Sequence, residues 1–83
     1  MWELFYTETA LAFLEKLDKP QKERIHSKLN DSKQEPHRFF SRMVSLPLYK
    51  MRIGDYRVIA DLQDEMKIVA IIKVGHRKNV YER

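Results

Sequence analysis

The sequence contains no cysteine, which removes disulfides and thiolate metal sites from consideration. Its three histidines, His26, His37 and His76, show no ligand-like spacing, so neither a metal nor any other cofactor is implied. Long apolar runs are missing too. The longest, 68–72, is far shorter than the ~20 residues that span a bilayer. Met1-Trp2-Glu3 opens directly into a candidate strand rather than a signal peptide, and a cytoplasmic location is expected. There are no repeats, linkers or low-complexity tracts, and glycine occurs only at positions 54 and 75. Acidic residues are the minority. The net charge is +4 and the sequence pI about 9.5, a moderate excess that favours an anionic partner. The excess is uneven: residues 1–48 carry eight basic and seven acidic side chains, residues 49–83 eight and five.

What is present points to one small domain over residues 1–83. With 43% apolar and 34% charged residues the chain can bury a single core, near the size at which such a core gives modest stability. The informative stretch is Tyr49-Lys50-Met51-Arg52-Ile53-Gly54-Asp55-Tyr56-Arg57. Gly-Asp between alternating segments predicts a hairpin with a two-residue turn, because these residues tolerate the positive φ that a strand-matching turn requires. Ile53 then opposes Tyr56, Arg52 opposes Arg57, Met51 opposes Val58 and Lys50 opposes Ile59. Opposed residues share a face. Tyr49, Met51, Ile53, Tyr56, Val58, Ala60 and Leu62 form a core face, and Lys50, Arg52 and Arg57 a positive one. Directly opposed arginines repel, and a polyanion lying on that face is the economical reason to keep them.

Along the chain, 2–6 is short and aromatic and reads as a first strand. Thr7 can cap a helix over 8–17, where Ala10, Leu11, Phe13, Leu14 and Leu17 make one apolar stripe. Asp18-Lys19-Pro20 breaks it and starts a second helix over about 20–32, with Asp18 as cap and Ile25 and Leu29 as its apolar contacts. The charged remainder of that helix reads as a solvated face. Glu35-Pro36 ends the helical region, and Phe39, Phe40, Met43, Val44 and Leu46 return the chain over the core. Residues 56–62 alternate, 63–65 turn, and 66–74 read as a central strand covered on both faces, with Gly75 as a candidate bulge. The expected fold is α+β: an N-terminal strand, a helical hairpin, then an antiparallel β-meander with both helices on one side of the sheet.

Tyr49-Lys50-x-Arg52-x-Gly54-Asp55-Tyr56-Arg57-Val58-Ile59, followed by Val74-Gly75-His76-Arg77-x-x-Val80-Tyr81, resembles the RelE toxins of the RelE/ParE superfamily. The resemblance implies a ribosome-dependent endoribonuclease that cuts messenger in the ribosomal A site, and a RelB-like antitoxin that neutralises it by wrapping the toxin. It also implies site residues: Lys50 and Arg52 match the basic pair on the family's second strand, Arg57 the arginine on the third, and Arg77 and Tyr81 the arginine and tyrosine near the C-terminus. The ParE branch shares the fold, attacks DNA gyrase, and typically lacks the complete basic set. A gyrase inhibitor and an inactive relative are the alternatives.

The chemistry agrees with the residue types. RNA cut by its own 2′-hydroxyl needs a base, cations for the charge growing on the phosphorane, and a proton for the leaving 5′-oxygen. Arg57 and Arg77 present fixed donor forks suited to that charge. Lys50 is open to a base role, and Tyr81 to acid, base or base-stacking roles. The RNA-binding set is Lys50, Arg52, Arg57, Arg77 and Lys78. His76 is the weaker proton carrier, because alternation sends it to the face opposite Arg77.

Overall fold

A computed structural model describes residues 1–76. The chain forms β1 (Glu3–Tyr6), α1 (Glu8–Glu15), α2 (Lys19–Ser32), α3 (Pro36–Phe39), β2 (Ser41–Arg42), β3 (Tyr49–Ile53), β4 (Tyr56–Gln63) and β5 (Ile68–His76). The strands make one mixed sheet in the order β1-β5-β4-β3-β2. β1 pairs parallel to β5, and the other pairs are antiparallel. The α+β class and the helices on one side of the sheet agree with the sequence. The parallel first strand, the single turn of α3 and the two-residue β2 go beyond it.

α1 starts where expected. The Thr7 hydroxyl accepts from the Ala10 N–H at 3.1 Å and donates to the Ile72 carbonyl at 2.8 Å, so one side chain both caps the helix and ties it to β5. Asp18 occupies the N-cap position of α2, but its side chain makes no capping bond; Pro20 in the first turn is the surviving start signal. Ala10 and Leu14 of α1 and Ile25 and Leu29 of α2 are buried against Met51, Ile53, Val58, Ala60, Leu62, Val69, Ile71 and Val74. This is the main core, and it lies on one face of the sheet.

The return segment behaves differently from its sequence reading. Phe40 joins the main core, but Met43 packs with Ile59 and Leu48 in a small cluster of its own. Ile59 shares its sheet face with Lys50, so this cluster lies beside the cations rather than under the helices. Val44 is 97% exposed and Leu46 is also exposed, so neither covers the core. His37 on α3 reaches Asp64 in the β4–β5 turn at 2.9 Å, with its ring edge-on to those of Trp2 and Tyr49.

β5 is central but not covered throughout: Val69, Ala70, Ile71 and Val74 are buried, whereas Ile72 and Lys73 are exposed. The irregularity in this strand sits at Ile72, because Ile59 pairs with Lys73 and Ala60 with Ile71. Gly75 pairs regularly with Arg57 and is not the bulge. No helix among the described residues is long and apolar enough to cross a membrane.

Candidate functional site

The β3–β4 hairpin has the register read from its turn: Ile53 opposes Tyr56, Arg52 opposes Arg57, Met51 opposes Val58, Lys50 opposes Ile59 and Tyr49 opposes Ala60. Gly54 alone of the two turn residues has positive φ, +61°, which is the arrangement of a tight turn with glycine at its first central position. A period of two then puts Met51, Ile53, Val58 and Ala60 into the core and leaves Lys50, Arg52 and Arg57 on the face away from the helices. Arg52 is exposed, and its Nε donates to the Gly54 carbonyl at 3.3 Å. Lys50 and Arg57 are half-buried.

β2 pairs only with Tyr49 and Lys50, so beyond those residues β3 borders a groove rather than another strand. A cavity of about 350 Å³ opens there, and it brings Lys50, Arg52 and Arg57 together with Lys28 of α2, Arg38 and Phe39 of α3, and Ser41 of β2. Among the described residues eight line it, five of them cationic and none acidic. A second cavity shares Lys28 and Arg52 and continues past Arg24, Ser27, Asp31 and Gly54. The Arg24 guanidinium lies directly over the hairpin tip, where a Cβ on Gly54 would sit 3.1 Å from its Nη1. The charged face of α2 is therefore not merely solvated: Arg24 and Lys28 extend the basic groove. Helical spacing marks them as exposed, but only the packing of α2 beside β3 places them there.

The remaining sequence candidates divide. Arg77, Lys78 and Tyr81 lie outside the described residues. His76 pairs with Tyr56 on the helix side, ring centroids 5.7 Å apart and edge-on, and Tyr56 in turn meets Phe13. It therefore faces away from Arg57; its placement relative to Arg77 lies outside the described residues. Tyr49 and Tyr56 pack against the main core. Among the described residues, no three of His, Asp and Glu gather as a metal site. Burial raises the Tyr6 phenol above its ordinary value, and its hydroxyl meets His26 Nδ1 at 3.2 Å; this pair belongs to the helix side, away from the groove.

As chemistry, the groove gathers three guanidinium forks and two ammonium groups, of which Arg38 also pairs with Glu35 at 3.3 Å, a setting for phosphate and for negative charge developing on it.

A family model described as the ParE toxin of the type II toxin–antitoxin system parDE matches residues 4–81. The chain is similar to the toxin–antitoxin complex RelBE2 from Mycobacterium tuberculosis, at 26% identity, covering 92% of this chain and 98% of that one, with a TM-score of 0.84. It is also similar to the intact E. coli RelBE toxin–antitoxin complex, at 27% identity over 92% and 96% of the two chains and a TM-score of 0.78. An archaeal RelE–RelB complex from Pyrococcus horikoshii OT3 shares the fold at 23% identity over 95% and 98%, with a TM-score of 0.79. No curated protein matches the sequence.

Proposed function

The chain belongs to the ParE toxin family of type II toxin–antitoxin systems, and from that premise we propose that it is an mRNA interferase, an endoribonuclease that cuts messenger in the ribosomal A site and so stops translation. The observation that carries this reading is the convergence of Lys50, Arg52 and Arg57 on one groove, beside Lys28 and Arg38. A messenger backbone is a polyanion, and cutting it through its own 2′-hydroxyl piles further charge on the phosphorane. In this reading Arg57 and Arg77 stabilise that charge and Arg52 holds the adjoining phosphate. Lys50 or Tyr81 takes the 2′-hydroxyl proton, and the leaving 5′-oxygen is protonated within the same set. Lys78 adds a backbone contact. Residues 1–83 act as one toxin unit in the cytoplasm, without a metal or cofactor.

The protein partner in this reading is a RelB-like antitoxin, supported by the similarity to toxin–antitoxin complexes at 26% and 27% identity. A second reading has its own support: the matching family model is named for ParE, and the ParE branch inhibits gyrase. Expression without an antitoxin separates the two. Cut messengers with intact DNA are expected. DNA breaks with intact messengers would establish gyrase as the target, and growth with neither lesion would mark an inactive relative.

A further inference from the structure

We propose that Phe39 is a stacking platform for a nucleobase of single-stranded RNA, set beside the cations that hold the neighbouring phosphate. The identity of the ligand rests on the nuclease reading; the geometry does not. Phe39 ends α3 half-buried, packed on the main core and also lining the groove that holds Lys50, Arg52 and Arg57. Phosphate binding gives an aromatic ring no task. A nucleobase does, because every base has a π-face and stacks on such a ring without regard to sequence. The groove, about 350 Å³, lies at the small end of the range for small-molecule pockets and suits one nucleotide unit. In a duplex the base faces are hidden against one another, so the strand that fits is single.

Lys28 completes the site. Its Nζ stands 5.7 Å from the Phe39 ring centroid, a loose contact on an exposed side chain. A cation at an exposed ring is worth less than a stacked base, so an arriving base displaces the ammonium, which turns to the adjacent phosphate. The second cavity, sharing Lys28 and Arg52 and passing Arg24, carries the strand onward past the hairpin tip.

The test uses a short single-stranded oligoribonucleotide, 2′-O-methylated to prevent cleavage, in which one nucleotide at a time is made abasic. Wild-type protein should lose about tenfold in affinity when the stacked position is abasic. Phe39→Leu should bind the intact strand about tenfold more weakly and be indifferent to the abasic change. If Phe39→Leu distinguishes base from abasic site as sharply as wild type, the proposal is overturned. Phe39→Trp guards against a leucine variant that does not fold. Its added indole fluorescence, measured against the wild-type background, should be quenched by the intact strand and not by the one abasic at that position; equal signals overturn the proposal. Messenger cleavage by the wild type is scored separately. A flat binding cycle beside active cleavage removes the platform alone, and a positive cycle without cleavage removes the nuclease reading alone.

Discussion

Arg52 and Arg57 stand directly opposite each other across the β3–β4 hairpin, on the sheet face that the helices leave open. Like charges in that relation destabilise a strand pair by about 0.2–1 kcal/mol. Replacing Arg52 with glutamine keeps the polar reach and removes the repulsion. Thermal unfolding of the free protein should stay level or shift upward, more at low salt, where screening is weakest. On the nuclease reading, messenger cleavage should fall about a hundredfold, the scale on which charge-stabilising donors act. A clear loss of stability would show instead that Arg52 is part of the scaffold.

The hairpin tip gives a second prediction. Gly54 has φ +61°, and a left-handed conformation costs other residues about 1–2 kcal/mol. A methyl group there would also approach the Arg24 guanidinium, at 3.1 Å from Nη1, but that is the far end of a flexible side chain and can move. Gly54→Ala should therefore be less stable by about 1–2 kcal/mol, and Gly54→Asn by less, since asparagine tolerates this region. Adding Arg24→Ala to Gly54→Ala should not restore stability. Rescue in that double-mutant cycle would place the cost in the contact rather than the dihedral.

Thr7 gives a third. Its hydroxyl caps α1 and also bonds the Ile72 carbonyl at the irregular point of β5. Thr7→Val keeps the shape and removes both bonds, and should cost about 1–2 kcal/mol in urea unfolding. Thr7→Ser should recover most of it. An unchanged midpoint for the valine variant would remove this residue from the account of how α1 is held.

These residues show which parts of the fold the sequence could reveal. The hairpin register was legible because Gly54-Asp55 fixes a two-residue turn, and every pairing back to Tyr49 follows from it. Thr7 and Pro20 were legible as local start signals. Pairing between distant strands was not: nothing in Glu3–Tyr6 says that it lies parallel to β5, and β2 is too short to leave a periodic trace. The irregularity at Ile72 falls within an apolar run that hides its phase, whereas Gly75, the penultimate residue of β5, carries the usual mark of a bulge and pairs regularly. In the groove, Lys50, Arg52 and Arg57 came from strand alternation and the family resemblance. Arg24, Lys28 and Phe39 reach it only because α2 and α3 pack beside the unpaired end of β3.

Tyr6 gives a pH prediction. Burial raises its phenol above the ordinary value, so the folded state holds that proton more tightly than the unfolded chain does. The resulting stabilisation is whole below the ordinary phenol value of about 10 and is lost as pH rises through the folded value. Stability should thus decline on the alkaline side more steeply in the wild type than in Tyr6→Phe, which has no phenol to ionise. Parallel profiles for the two proteins, measured by urea unfolding across that range, would assign the alkaline loss to other groups.

The last prediction concerns what the groove lacks. On the nuclease reading it supplies cations to a phosphate, but the described residues bring no histidine to it, since His76 faces Tyr56 on the helix side and His37 binds Asp64. Charge stabilisation without an evident histidine proton carrier leaves much of the work to geometry. The 2′-oxygen must lie in line with the scissile bond, and a free strand seldom holds that arrangement. Fixing the messenger in advance can supply a large part of the barrier reduction, because well-oriented reactants need no further ordering. The decoding site of a ribosome holds messenger in a defined path and is therefore the natural source of that order. Purified protein should leave naked messenger intact over the time in which it cuts ribosome-bound messenger, with a rate difference of at least about a thousandfold. Arg57→Gln should abolish the ribosome-dependent cut without changing the slow background on naked RNA. Equal rates on the two substrates, after contaminating nucleases are excluded, would mean that the groove aligns RNA unaided and that ribosome dependence is no part of its mechanism.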